Sequence, residues 1–133
     1  MASPITAVEI DPAMVALARE HFGLDDLKDV EVIVEDAFSP DLVLPGPFDL
    51  IVVDLFNDLD VPEQAATLPF VERLLGLLAT DGLLLFNTIA HNAVSRERSQ
   101  RIGDLLRQKN GRVRQWEPEH MNIVYGIRRH LTE

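Results

Sequence analysis

The sequence contains no cysteine, which excludes disulfides, thiolate metal sites and a cysteine nucleophile. A reducing cytoplasm suits such a chain. Long hydrophobic runs are missing too. The apolar stretches are short and broken by Asp, Pro or Gly, so none supplies the roughly 20 residues of a membrane-spanning helix. The opening Met-Ala-Ser-Pro has neither the basic start nor the apolar stretch of a secretory signal. Positive charge is scarce, with 12 Lys and Arg against 22 Asp and Glu and a formal net charge of -10. What is present is ordinary: 133 residues, 47% hydrophobic and 26% charged, as expected of one globular domain covering 1–133.

The shortage of bases is local. Residues 1–63 hold 15 acids and 2 bases, whereas 64–133 hold 7 acids and 10 bases. A strongly acidic front half repels bare nucleic acid and attracts cationic or amine-bearing partners. The simpler reading, which we favour, is that the halves compensate one another across a packed fold. Segment 96–114 carries seven bases against two acids, including Arg96, Arg98, Arg101, Arg107 and Arg112. It reads as a solvated helix face, which leaves nucleic acid a disfavoured partner.

Along the chain, 5–10 reads as a strand that stops at Asp11-Pro12, a helix cap followed by proline at the first helical position. The spacing of Met14, Leu17 and Ala18 predicts a helix over 12–21 ended by Phe22-Gly23. Strands are expected at 30–35 and at 49–54. The apolar centre of the latter, bounded by acids, is the pattern of a strand buried on both faces. A polar loop, 55–61, and a helical turn near 62–67 precede a helix over 69–79 that buries Phe70, Val71, Leu74, Leu75 and Leu78. Thr80-Asp81-Gly82 then turns the chain into a strand at 83–87. A helix over 91–109 should turn Val94, Ile102, Leu105 and Leu106 inward. Strands at 113–117 and 122–127 close the chain.

Strands alternating with helices, then a hairpin-like pair, indicate an α/β fold with a mostly parallel sheet. In such sheets the site lies beyond the carboxyl ends of the strands. Those ends carry Glu9 and Asp11, Glu35 and Asp36, Asp54, and Asn87 with Thr88. Ionised carboxylates only accept hydrogen bonds, so this ring suits a ligand rich in hydroxyl and amino donors. Plainer roles stand beside that one. Glu9 reads equally as a surface strand-end acid, Asp36 as a turn former and Asp54 as the cap of its loop. Asp11 reads as a helix cap, Asp58 and Asp60 as solvated loop acids, His91 as a helix start and Trp116 as a packing residue.

Four segments, Ala7-Val8-Glu9-Ile10-Asp11-Pro12, Val32-Ile33-Val34-Glu35-Asp36-Ala37, Phe48-Asp49-Leu50-Ile51-Val52-Val53-Asp54 and Thr80-Asp81-Gly82-Leu83-Leu84, resemble in order and spacing the class I S-adenosylmethionine-dependent methyltransferases. The spermidine-synthase-like branch is the most similar. The resemblance covers nearly the whole chain. It implies a Rossmann-like sheet with a C-terminal antiparallel strand, and S-adenosylmethionine or decarboxylated S-adenosylmethionine as cofactor. By it, Glu9 accepts from the ribose hydroxyls, Asp36 from the adenine amino group, and the Ala37 N–H faces the ring. Asp54 lies beside the sulfonium as the catalytic residue, orienting or deprotonating the acceptor. No metal is implied.

The same resemblance implies an incomplete domain. The family opens with a strand, a G-x-G turn and a helix, and no glycine occurs here before Gly23. In the family order the missing strand is central, so the strands at 5–10 and 49–54 should pair directly or leave a gap of about 10 Å. Truncation, completion by a second copy in a homodimer, and a degenerate domain all account for this. The leading expectation is a methyltransferase-like transferase acting on a small molecule, an amine among the candidates. The runner-up is polyamine aminopropyl transfer, weakened because Asn57 stands where a second acid is usual. A non-catalytic or partner-dependent domain is the third.

Overall fold

β-branched residues and an alternating pattern place the first strand, β1, at Ile5–Glu9. Asp11 stops it: the Asp11 carboxylate accepts from the Ala13 N–H at 2.9 Å, and Pro12 occupies the first turn of α1, Pro12–His21. The helix ends at Phe22, whose N–H returns to the Ala18 carbonyl, and Gly23 takes the left-handed backbone (φ 70°) that the chain needs to leave it. A short 3-10 turn, Leu24–Asp26, leads to β2, Val30–Val34. β1 and β2 pair in parallel, Ile5 opposite Val30 through Glu9 opposite Val34. The computed structural model describes residues 4–110, 112–119 and 121–129; Met1, Ala2, Ser3 and His120 lie outside them. These elements belong to one compact unit, Met1–Val43, and the rest of the chain to a second, Leu44–Glu133.

α1 buries Val15, while Met14 and Leu17 are 55% and 47% exposed. A two-stranded sheet is only about 5 Å from strand to strand, narrower than the stripe a helix of about 10 Å diameter presents.

The second unit contains β3 (Phe48–Val53), a 3-10 turn (Glu63–Ala66), α2 (Leu68–Leu77), β4 (Leu78–Ile89), α3 (Ala93–Asn110), β5 (Val113–Trp116) and β6 (Asn122–Arg128). Its sheet order is β3-β4-β6-β5. β3 is parallel to β4, and β6 is antiparallel to both β4 and β5. Three strands therefore share a direction and β6 opposes them, the mostly parallel α/β arrangement that the sequence indicates.

The core lies between this sheet and α2 and α3. Leu84, Phe86 and Thr88 of β4 and Ile123, Tyr125 and Ile127 of β6 are buried, as are Phe70, Val71 and Leu74 of α2 and Ile102 and Leu106 of α3. Phe70 meets Phe86 edge-on with ring centroids 6.3 Å apart. α3 comes so close to β6 that a Cβ on Gly103 would sit 2.6 Å from the Tyr125 ring. A buried hydroxyl chain crosses the layers. The Thr88 hydroxyl donates to the Ile123 carbonyl at 2.7 Å. It must then accept from Ser99 at 2.6 Å, and Ser99 from the Tyr125 hydroxyl at 3.2 Å.

Three expectations need correction. β3 is an edge strand with one neighbour, not a strand buried on both faces, and Leu50 and Val52 are 54% and 60% exposed. β4 begins at Leu78 rather than after Gly82, and Leu78 is buried as its first residue rather than in the helix. Phe48 opposes Leu78 but Leu50 opposes Leu83, so the extra residues bulge out around Asp81, at φ 63°. α3 starts two residues later than expected and leaves Val94 66% exposed.

Candidate functional site

In the first unit, parallel pairing brings the carboxyl ends of β1 and β2 side by side, and the Glu35 N–H donates to the Glu9 carbonyl one step beyond the strands. Each acid there holds a local backbone donor. Glu9 Oε1 accepts from the Asp11 N–H at 3.2 Å, Glu35 Oε1 from the Asp36 N–H at 3.1 Å, and Asp36 Oδ1 from the Phe38 N–H at 2.9 Å. Asp36 is thus a turn former, and Asp11 a helix cap, as read from the sequence. A carboxylate has two oxygens and about four acceptor sites. Among the described residues, Glu9 Oε2 and Asp36 Oδ2 take none of these bonds. Both residues are half-buried, as is Ala37 in the turn after β2. Orientation by the backbone and a remaining acceptor oxygen make this end of the strand pair suited to a ligand with several donors.

In the second unit, Asp54 follows β3 and is exposed. Val53 opposes Phe86, so the next residue lies level with Asn87 of β4. Asn87 Nδ2 donates to Asp54 Oδ1 at 3.2 Å. Asn122, at the start of β6, donates from Nδ2 to Asn87 Oδ1 at 3.1 Å and to the Thr88 carbonyl at 3.4 Å. Asp54 is therefore more than a loop cap: it is the end of a hydrogen-bond chain across three adjacent strands.

The loop after β3 closes on itself, with Asn57 and Asp60 exchanging backbone hydrogen bonds of 2.7 and 3.1 Å around Asp58, which takes φ 58°. Asp60 is a solvated loop acid, as read, and its Oδ1 also lies 2.9 Å from His91 Nε2. Arg98 Nη1 donates to the Val61 carbonyl at 2.7 Å, so the loop is tied to the start of α3 at two points. His91 does begin the helix region: its N–H donates to Ser95 Oγ at 2.9 Å, and Asn92 and Ser95 form a reciprocal cap, the Asn92 N–H donating to Ser95 Oγ at 3.0 Å and the Ser95 N–H to Asn92 Oδ1 at 2.8 Å.

The basic run on α3 is largely paired. Arg101 holds Glu97 through Nη2 at 3.0 and 2.7 Å, and that hydrogen bond and charge raise the guanidinium above its usual range. Arg107 reaches Asp104 and Gln115, and Lys109 reaches Glu72 at 2.9 Å. Trp116 lies against Gly126, where a Cβ would meet its ring at 2.6 Å, which is the packing role expected of it.

A cavity of about 80 Å³ opens beside Asn122, lined also by Arg96, Glu117 and Met121. It is far smaller than the roughly 300–1,000 Å³ of small-molecule pockets. Among the described residues no group of three or more His, Asp or Glu could hold a metal, and no helix is long and apolar enough to cross a membrane. Sequence reasoning missed Asn122 and the Asp60–His91 pair. Each joins residues more than 30 positions apart, and no local pattern signals such a meeting.

No protein-family model matches the chain. Over 124 residues it is 31% identical to the ribosomal protein L11 methyltransferase of Pelobacter propionicus, covering 93% of this chain and 36% of that protein. The chain thus spans about a third of the length of this curated relative. Among solved structures it is similar to human methyltransferase-like protein 13 in complex with SAH, with a TM-score of 0.77 at 20% identity, covering 97% of this chain and 62% of that one. It is also similar to a probable spermidine synthase from Corynebacterium glutamicum, at 0.75 and 23%, over 91% and 46%. A putative rRNA methylase from Clostridium thermocellum matches at 0.70 and 15%, over 94% and 74%. The fold is the Rossmann-like α/β fold of class I S-adenosylmethionine-dependent methyltransferases.

Proposed function

We propose that this chain takes part in S-adenosylmethionine-dependent methyl transfer. The observation that carries the reading is the pairing of β1 and β2. It sets Glu9 and Asp36 at adjacent strand ends, each with one oxygen fixed by a backbone N–H and the other left for a ligand. The donor set suits the cofactor: ribose hydroxyls and an adenine amino group donate, and these carboxylates can only accept.

When bound, S-adenosylmethionine supplies an electrophilic methyl group. Glu9 would hold the ribose hydroxyls, and Asp36 the adenine amino group, with the Ala37 backbone beside the ring. Asp54, in the second unit, would orient the acceptor and take its proton. Its exposure leaves it open to an acceptor arriving from solvent. The reducing cytoplasm is the compartment that fits a chain without cysteine.

Titration calorimetry tests the nucleoside half directly. S-adenosylmethionine should bind saturably, and Glu9→Gln and Asp36→Asn should each weaken binding about tenfold, the worth of one hydrogen bond to a charged group. Glu20→Gln, on α1, should change nothing. Absence of saturable binding would overturn the reading in favour of a non-catalytic or partner-dependent domain. Tighter binding of decarboxylated S-adenosylmethionine, with turnover of putrescine, would turn it towards polyamine aminopropyl transfer. The likeness to the Corynebacterium protein favours that second reading, whereas Asn57 and the engagement of Asp60 by His91 weigh against it.

A further inference from the structure

We propose that the cavity beside Asn122 binds the zwitterionic end of a free α-amino acid, with Arg96 taking the carboxylate and Glu117 and Asn122 taking the ammonium. The site lies wholly within the second unit and stands apart from the nucleoside reading of the first.

Four elements meet at this edge of the sheet. Ala90 follows β4, Glu117 follows β5, Met121 precedes β6, and Asn122 and Ile123 begin it. Arg96 comes from the first turn of α3. Asn122 offers an acceptor here. The Thr88 carbonyl only accepts, so the Asn122 atom facing it at 3.4 Å must be the NH2 nitrogen. The same NH2 donates to Asn87 Oδ1 at 3.1 Å. Both of its hydrogens are thereby engaged, and the amide oxygen is what remains for a ligand. Glu117 likewise only accepts, whereas Arg96 only donates.

Arg96 and Glu117 have opposite charge and line one cavity, yet among the described residues neither side chain has a hydrogen-bond or ion-pair partner. Elsewhere on α3, Arg101 holds Glu97, and Arg107 holds Asp104 and Gln115. A simple anion drawn to Arg96 meets the Glu117 carboxylate and the Asn122 oxygen. A simple cation drawn to Glu117 meets the guanidinium. A molecule with an ammonium and a carboxylate on one carbon satisfies both ends, through a forked guanidinium–carboxylate contact and N–H donors to two oxygens. The size agrees. About 80 Å³ holds roughly two or three water-sized groups, enough for such an end but not for a whole substrate. Arg96, Glu117 and Met121 are exposed, so the rest of the amino acid extends into solvent.

Glycine is the smallest probe, and acetate and methylammonium each carry half of it. In the full chain labelled at its methionine methyl groups, the Met121 signal, assigned by its loss in Met121→Leu, should shift saturably with glycine in roughly the millimolar range. Ionic strength is held constant, because these charges are open to salt. Acetate and methylammonium should each bind at least about tenfold more weakly, having lost one charge-assisted contact. Arg96→Gln and Glu117→Gln should each weaken glycine about tenfold while leaving the urea midpoint unchanged, since neither side chain holds the fold. Selectivity should also cross. Glu117→Gln removes a repulsion and should tighten acetate about threefold, and Arg96→Gln should do the same for methylammonium.

Acetate or methylammonium binding as tightly as glycine would show a plain anion or cation site and overturn the zwitterion. A Met121 signal that no probe moves up to about 100 mM overturns the site itself. Glycine binding that both variants leave unchanged overturns it as well.

Discussion

Asp11, Asp36 and Glu9 each hold a local backbone N–H with one carboxylate oxygen. Asp11 caps α1 and nothing in its surroundings asks more of it. Its replacement, Asp11→Ala, should cost about 0.5–2 kcal/mol in urea unfolding, the usual range for a lost N-cap. Asp36 and Glu9 each hold one turn with one oxygen, so Asp36→Asn should leave stability nearly unchanged while weakening nucleoside binding. Ser99 sits in the middle of the buried hydroxyl chain. Ser99→Ala leaves the hydroxyl of Tyr125, a residue only 1% exposed, without its acceptor, and should cost about 1–3 kcal/mol. Tyr125→Phe removes the donor along with the bond and should cost less. Urea midpoints of the two variants check the order.

Among the elements, the contrast between β3 and β4 is the most informative. Both are apolar in sequence, yet β4 has neighbours on both sides and helices over one face, whereas β3 ends the sheet. Leu50→Lys should therefore shift unfolding by no more than about 0.5 kcal/mol, while Leu84→Ala should cost about 2–5 kcal/mol. Equal losses measured by denaturation would mean that β3 is covered in solution. The α3–β6 contact is as tight as packing permits. Gly103→Ala drives a methyl group into the Tyr125 ring and should destabilise by about 1–3 kcal/mol despite alanine's better helix propensity. Most elements were legible from periodicity and caps: α1 matches its expected residues, and Gly23 ends it as expected. The beginning of β4 was not. Leu78 continues the helical pattern of α2, and only its pairing with Phe48 of β3, more than 25 residues earlier, draws it into the sheet.

At the scale of the whole molecule, the two units differ in how they are held. The second has a layered core with buried aromatic and aliphatic side chains from sheet and helices. The first has a two-stranded sheet under a helix with one buried side chain, an arrangement of marginal intrinsic stability. Amide hydrogen exchange should thus be at least about a hundredfold faster in β1 and β2 than in β4 and β6. Equal protection in both would show that the first unit is held by more than its own contacts. The net charge of -10 acquires a meaning at this scale too. Part of the front-half excess stands at the ends of β1 and β2, and α3's bases are mostly consumed by its own neighbours.

The amino-acid sequence by itself determined the order of strands and helices, the caps that separate them, and the acids at the strand ends. These depend on hydrophobic period, proline, glycine and short polar side chains acting within a few residues of one another. Only the tertiary structure decided that β3 is an edge, that β4 begins at Leu78, that Asp60 meets His91, and that Asn122 and Asn87 reach Asp54. Each of these joins positions 25 or more residues apart. Contacts over such separations are set by which strands become neighbours and in what register, and no local pattern of residues carries that information.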